Sequence, residues 1–141
     1  MSLMGRFRRR MEQQIRRAFF NVLARNQDDH VKNIAFLMDR RGTWRLSPAF
    51  DVAYSYNPNG AWTSRHQMTL NGKRDGFAVE DLLAFADVGG VKKRRARALL
   101  DEVSEAVQGW SAHARRAGMS AGDTDRVQRG FRRDLLRDRS G

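Results

Sequence analysis

Large apolar residues recur at every third or fourth position near the start of the chain. They are Phe7, Met11, Ile15, Phe19 and Val22. Residues at this spacing share one face of an α-helix, and arginine and glutamine side chains fill most of the positions between them. The pattern predicts an amphipathic helix over about residues 6–25 whose first turns are strongly basic.

Two short apolar segments near residue 40 predict a β-hairpin. Ile34–Met38 is apolar, Asp39–Gly42 has the composition of a tight turn, and Thr43–Leu46 would be the returning strand. Apolar runs bounded by turn residues are typical of strands. Pro48 biases Ser47 away from helical backbone, so we expect the chain to leave the hairpin at that point.

The chain after the hairpin is first rich in loop residues and then helical. Residues 54–76 contain many turn-forming side chains, and only residues 67–70 alternate like a strand. The later periodicity predicts a short helix from about residue 78 to Gly89–Gly90, and a longer helix from about Val91 to Ala114.

A small-residue segment, residues 117–122, separates one last predicted helix from the others. Asp123 or Thr124 would cap this helix. Its apolar face would carry Val127, Phe131 and Leu135. The order of helix, hairpin, loop and three further helices predicts a mainly α fold with a small β-hairpin.

Most aromatic residues fall at apolar-periodic or hairpin positions, which predicts that they pack in the core. They are Phe19, Phe36, Trp44, Phe50, Phe85, Trp110 and Phe131. Tyr56 and Trp62 lie in the loop-rich stretch. The sequence leaves open whether these two contact a substrate or a partner protein.

The composition fits one globular, strongly basic domain. The chain has 141 residues, with 27 Lys and Arg against 16 Asp and Glu and a formal charge of +11. Such a balance attracts polyanions. The arginine and lysine runs at residues 8–10 and 92–95 are the best candidates for an anionic partner, although solvated helix faces explain the same runs equally well.

Several classes of protein are disfavoured by what the sequence lacks. There is no cysteine, which excludes disulfides and thiolate metal sites and fits a cytoplasmic protein. No apolar run approaches the length of a membrane span, about 18 residues. We expect one domain over residues 6–138, with residues 1–5 an expression remnant or disordered start and residues 139–141 a tail.

The stretch NQDDHVKN, residues 26–33, collects amide, carboxylate, imidazole and ammonium groups directly after the first predicted helix. Turn capping and solvation would explain each of these residues singly. A catalytic loop would explain them together. Asp28 and Asn33 are five residues apart, as are the catalytic carboxylate and the metal-binding amide in the protein-kinase loop H-R-D-L-x-x-x-N. Asp51 follows the hairpin, which would return it to face Asn33 across a Mg²⁺ ion.

These motifs resemble those of one kinase family. DDHVKN at residues 28–33 and LSPAFDV at residues 46–52 are similar to two motifs of the HipA-type serine/threonine kinases, the toxins of HipBA-like toxin–antitoxin modules. The segment LNGKRDGFAVEDLLAFA at residues 70–86 is similar to the C-terminal lobe of that family. The resemblance covers roughly residues 10–110 and implies the helical C-terminal lobe of a protein-kinase-like fold.

The resemblance implies a role for each matching position. Asp28 matches the catalytic aspartate of the family, and Asn33 and Asp51 match the two metal ligands. His30 and Lys32 match motif positions that would bind the ATP phosphates or brace the loop. Asp29 falls at a variable position and is expected to be solvent-exposed. Asp51 is followed by Val52–Ala53 instead of Phe-Gly, so the resemblance does not carry over a switch of the DFG type.

Cofactors and partners are also implied by the resemblance. They are ATP and Mg²⁺, a helix-turn-helix antitoxin of the HipB type, DNA contacted through that antitoxin, and a protein substrate such as an aminoacyl-tRNA synthetase or another translation factor. The chain contains no G-x-G-x-x-G loop and no strand with a nucleotide-clamping lysine. These 141 residues are therefore expected to be inactive alone, since catalysis by positioning requires all the positioning groups.

A second interpretation involves no chemistry. The chain would be a basic helical module that binds nucleic acid or an acidic partner protein. Binding that falls steeply with salt and depends on residues 8–10 would favour this interpretation.

Overall fold

Helices account for most of the regular structure of residues 2–136, the part of the chain that the computed structural model describes. The helices are α1 (Leu3–Leu23), α2 (Val79–Val88), α3 (Lys93–Gln108), α4 (Trp110–Arg116) and α5 (Ala121–Gly130), and the strands are β1 (Phe36–Met38) and β2 (Trp44–Leu46). The predicted mainly α fold with a small β-hairpin is confirmed. The predicted tail, residues 139–141, lies outside the described residues.

The core forms where α1 and α2 each pack against α3. Its largest fully buried side chains are Ile15, Phe19, Leu23, Leu82, Leu99 and Leu100. Helix α1 supplies three of these six, Ile15, Phe19 and Leu23, and the first two lie on the predicted apolar face. Each such side chain stabilises the fold by about 1.5–3 kcal/mol relative to an exposed one.

Both ends of α1 have clear local causes. The Ser2 side chain accepts a hydrogen bond from the Gly5 N–H at 3.1 Å, so α1 begins at Leu3, ahead of the predicted start. Residues 3–5 are therefore helical, although the sequence predicted a remnant or disordered start there. At the other end Arg25 has a positive φ of 56°, and the Asn26 N–H reaches back to the Asn21 carbonyl at 3.0 Å. This left-handed turn ends the helix and directs residues 26–33 back across its end.

The predicted hairpin is present, with Met38 opposite Trp44 and Phe36 opposite Leu46. The Asp39 carboxylate accepts the N–H groups of Arg41 and Thr43 across the turn. These backbone hydrogen bonds, that from Thr43 foremost, lower the pKa of Asp39.

The aromatic residues of this region are not core residues. Phe36 is 58% exposed, Trp44 54% and Phe50 42%, so the prediction that they pack in the core was wrong. β1 is exposed along its whole length, so the hairpin does not carry these rings into the core. The predictions for the other aromatic residues hold better: Phe19 and Phe131 are buried and Phe85 and Trp110 pack against the core.

The helices near the C-terminus depart from the prediction. The predicted long helix breaks at Gly109 into α3 and α4, and the Trp110 indole N–H then donates to the Thr124 carbonyl of α5 at 3.1 Å. Ser120, and neither Asp123 nor Thr124, caps α5. Phe131 and Leu135 are buried as expected, but they lie beyond the last helical residue.

The predicted strand at residues 67–70 is absent from the described structure, where Leu70 makes only an isolated bridge to Lys73. The backbone N–H groups of Gln67 and Met68 instead donate to the Asp29 carboxylate, at 2.8 and 3.4 Å. A side chain therefore takes the donors that a neighbouring strand would have used.

Candidate functional site

The loop at residues 26–33 is held in place by hydrogen bonds, several of them made by buried polar groups. Ser55 donates its N–H to the Arg25 carbonyl at 3.0 Å and accepts the Gln27 N–H at 3.2 Å. The fully buried Gln27 side chain donates to the Thr63 carbonyl at 2.9 Å and accepts from Arg132 at 3.1 Å. The position of the loop therefore depends on directional hydrogen bonds.

Asp29 joins the loop to the segment that follows the hairpin. One carboxylate oxygen lies 2.8 Å from His66 Nδ1, and the other accepts the Gln67 N–H at 2.8 Å. The Asp29 side chain is only 10% exposed and that of His66 1%. The prediction that Asp29 is solvent-exposed was therefore wrong.

Asp28, directly before it, has a different environment. Its side chain is about half-exposed, and the His30 imidazole lies beside it, with Nε2 3.8 Å from Oδ1. The Asn33 amide N–H₂ donates to the Asp28 backbone carbonyl at 3.2 Å. That bond fixes the amide and leaves the Asn33 side-chain oxygen available to a ligand.

Asp51 lies on the other side of the hairpin in left-handed backbone conformation, with φ 51°. This conformation is unfavourable for a residue with a Cβ, and such residues cluster at functional sites. Arg17 of α1 holds the backbone that leads to Asp51, because its Nη2 donates to the Ser47 carbonyl at 2.5 Å. Burial lowers the pKa of the Arg17 guanidinium.

A cavity of about 520 Å³ brings three of the five predicted site residues together. Its lining includes His30, Asn33 and Asp51. Asp28 and Lys32 are not part of the lining, and Lys32 is exposed. The hairpin therefore returns Asp51 to the cavity that Asn33 lines, as the sequence predicted from chain direction.

Buried polar atoms without a hydrogen-bond partner belong to residues around this same cavity. Among the described residues they are Gln14 Oε1, Arg17 Nε, His30 Nδ1 and His66 Nε2. Buried donors and acceptors are normally satisfied. Their concentration here marks the cavity as the part of the described chain best prepared to receive a polar ligand.

The donor set has the chemistry of a hard-cation site. The Asn33 side-chain oxygen and the Asp51 carboxylate are oxygen ligands of the kind that Mg²⁺ takes. Within residues 2–136, no group of three or more His, Cys, Asp or Glu side chains is arranged to hold a metal ion. A cation at Asn33 and Asp51 would therefore need further oxygens from water or a bound phosphate.

Sequence reasoning assigned no role to two residues that shape the site, Gln27 within the NQDDHVKN stretch and His66. Neither has a signal in hydrophobic periodicity, because both are polar and lie in loops. Only the run of polar residues around Asp28 indicated that the loop makes hydrogen bonds to other parts of the chain.

None of the helices in the described residues is long and apolar enough to cross a membrane.

Comparison with known proteins supplies the family. A search of curated proteins gives no match. The family model of the HipA-like C-terminal domain matches residues 1–110, a range that includes the loop, the hairpin, Asp51, α2 and α3. Because this match spans well over half of the sequence, the chain belongs to the HipA-like C-terminal domain family.

Proposed function

We propose that this chain is the C-terminal catalytic lobe of a HipA-like serine/threonine kinase, which transfers the γ-phosphate of ATP to a protein hydroxyl. One observation carries the proposal: Asn33, hydrogen-bonded to the Asp28 carbonyl, lines the same cavity as Asp51 in a chain of this family. Family membership alone would not require these side chains to converge.

Asp28 is the residue that accepts the proton of the acceptor hydroxyl. Its carboxylate is about half-exposed and so can be reached by a protein side chain from solvent. Its backbone is fixed through the Asn33 amide and the neighbouring Asp29. A general base in such a position contributes about 10²–10⁴-fold to the rate.

Asn33 and Asp51 are the residues that would hold magnesium, and His30 and Lys32 those that would contact phosphate. When bound, Mg²⁺ neutralises the charge that develops on the nucleotide phosphates. His30 has its Nδ1 buried without a partner beside the cavity, which suits a contact to a phosphate oxygen. Lys32 is exposed on the same loop and would supply a positive charge to a phosphate that extends beyond the cavity.

We expect no phosphoryl transfer by these 141 residues alone, because they carry the base and the metal ligands without a phosphate-covering loop. A nucleotide-clamping lobe would complete the site. The proposal extends to a helix-turn-helix antitoxin of the HipB type as partner, with DNA contacted through it, and to a translation factor such as an aminoacyl-tRNA synthetase as substrate in the cytoplasm.

The test compares phosphoryl transfer by three proteins that carry the open reading frame upstream of these residues. Wild type, Asp28→Asn and the matched control Asp125→Asn are supplied with Mg²⁺ and γ-labelled ATP. Asp125 is exposed on α5. We expect Asp28→Asn to lose at least about 100-fold in rate while Asp125→Asn matches wild type. Equal transfer by all three folded proteins would refute the role of Asp28, and robust transfer by the isolated 141 residues would refute the need for a second lobe.

A further inference from the structure

A groove between the start of α1 and the hairpin lies apart from the proposed catalytic site. It has a volume of about 480 Å³ and shares no lining residue with the cavity at Asn33 and Asp51. Leu3, Met4, Phe7 and Trp44 line it together with Arg6 and Arg10. We name it the basic-rimmed groove.

The apolar lining of the basic-rimmed groove is exposed. Phe7 is 58% exposed and Leu3 and Met4 are more so. Trp44 pairs with Met38 across the hairpin, and Phe36, two residues before Met38, lies on the same face. The apolar surface therefore continues from the groove along the hairpin, and contiguous exposed patches of this kind mark interaction sites on soluble proteins.

Nearly all charged residues in the two chain segments that form this groove are basic. Residues 3–10 and 36–46 hold seven arginines and one acidic residue, Asp39, whose carboxylate already accepts two backbone N–H groups. Arg6 and Arg10 have no ion-pair partner within the described residues, whereas Arg8 lies 3.4 Å from Glu12. The groove thus combines an apolar floor with unneutralised guanidinium groups.

We propose that the basic-rimmed groove docks a segment of another protein that presents apolar side chains flanked by Asp or Glu. Apolar side chains would remove the floor residues from water, and carboxylates would pair with Arg6 and Arg10 in the bidentate geometry that guanidinium favours. Trp44 and the two arginines are residue types that dominate binding energy at protein interfaces.

A nucleic acid fits this surface less well. Its phosphates would pair with the arginines, and its bases would stack on Trp44 or Phe7. Leu3, Met4 and Met38 would then remain in contact with water, because a polyanion offers few aliphatic groups. The aliphatic part of the patch therefore favours a polypeptide.

The test is panning of a random 16-residue displayed peptide library on the 141-residue protein, followed by affinity measurement of the enriched peptides. Two groove variants are used, Trp44→Ser and the double variant Arg6→Glu/Arg10→Glu. Their matched controls are Trp62→Ser, which removes a tryptophan that is 77% exposed elsewhere, and Arg115→Glu/Arg129→Glu, which changes the net charge by the same amount at exposed positions outside both basic runs. Circular dichroism melts verify that every variant is folded.

We expect enriched peptides to combine apolar residues with Asp or Glu, and to lose about tenfold or more in affinity on each groove variant but not on the controls. Absence of enrichment, or binding that the groove variants leave unchanged, would refute the proposal. A labelled twelve-residue oligouridine that binds with the same dependence while no acidic peptide does would assign the groove to nucleic acid instead. A dimer in sedimentation velocity that dissociates on Trp44→Ser would assign it to a second copy of the chain. No step of this test uses ATP or Asp28, so its outcome is independent of the proposed kinase function.

Discussion

The helices and the site segment, residues 26–77, are held in place by different kinds of contact. In the helices, apolar side chains such as Phe19, Leu99 and Leu100 are completely buried against one another. In the site segment, the fully or nearly fully buried residues include the polar residues Gln27 and His66. Regular structure is scarce there, since each of the two strands is only three residues long.

This difference bears on how precisely each region is specified. Apolar packing is non-directional, and a core accepts many combinations of side chains of similar volume. A buried polar group must meet its partner within a few tenths of an ångström, and loses stability when the partner is missing. The site segment is therefore positioned by a few individual atoms, which suits a loop whose groups must converge on one cavity.

The largest expected effect comes from breaking the apolar side of this comparison. Phe19→Ala removes a side chain with no solvent exposure from the α1–α3 contact. We expect the free energy of unfolding to fall by about 3–5 kcal/mol, measured by urea denaturation. The matched control is Phe7→Ala on the same helix, where the ring is mostly exposed, with a change within about 0.5 kcal/mol. Equal losses for the two variants would contradict the assignment of the core to the later turns of α1.

The second effect comes from breaking the polar side. Asp29→Ala leaves the buried His66 Nδ1 and the partly buried Gln67 N–H without their shared acceptor, and we expect a loss of about 2–3 kcal/mol. Amide hydrogen exchange at Gln67 and Met68 should accelerate with it. Asp28→Ala is the control, because its half-exposed carboxylate accepts no hydrogen bond in the described structure, and it should change stability by less than about 0.5 kcal/mol. If both variants destabilise equally, the buried pair does not hold the loop.

The sequence predicts the helical region well because its signal is periodic. The face of α1 that carries Ile15, Phe19 and Val22 is readable from spacing alone, and the helix end at Gly89–Gly90 follows from glycine chemistry. The break at Gly109 escapes this reasoning, since the apolar pattern runs on through Trp110. The Trp110 bond to Thr124 that accompanies the break is a contact between distant residues, and no local pattern contains it.

The site segment was predictable only where two motifs constrain it. The spacing of Asp28, Asn33 and Asp51 is a property of the sequence, and the structure adds that Asn33 and Asp51 line one cavity. Nothing near Asp29 distinguishes it from an exposed carboxylate, because its partner His66 lies 37 residues later in a loop. Hydrogen bonds between loops leave no periodic trace, so buried polar pairs are what single-sequence reasoning loses first.

Acid should weaken the contact between α2 and the end of the site segment, which is made by Asp81, Asn71 and Lys73. Asp81 of α2 accepts hydrogen bonds from the Lys73 and Asn71 side chains and from the Ala78 N–H, each at 2.8 Å. These bonds, led by that from Lys73, lower its pKa from 3.8 to about 2. Because the pKa is lower in the folded protein than in the unfolded chain, this contribution to stability is complete above the unfolded value and is lost as the pH falls through the folded one.

Asp81→Asn measures that contribution. We expect it to cost about 1–2 kcal/mol at neutral pH, with the difference from wild type shrinking as the pH falls from about 5 towards 2. The readout is the free energy of unfolding in urea at each pH. Asp87→Asn on the exposed side of α2 is the control and should show almost no such difference. A gap between wild type and Asp81→Asn that widens in acid would contradict the sign of the linkage.

The smallest effect tests whether the helical region is as independent of single polar atoms as the comparison implies. The Ser120 hydroxyl accepts the Asp123 N–H at 3.1 Å and so begins α5. Ser120→Ala should cost about 1 kcal/mol in urea denaturation, less than Asp29→Ala, because water can replace the hydroxyl at this exposed helix start. Asp123→Ala should cost only a few tenths of a kcal/mol, since its carboxylate contacts exposed groups of Ser120 and Arg126. The reverse order would restore the sequence-based prediction that α5 begins later, at Asp123 or Thr124. The expected order would mean that polar contacts position both regions, and that a polar contact costs more stability to lose where it is buried.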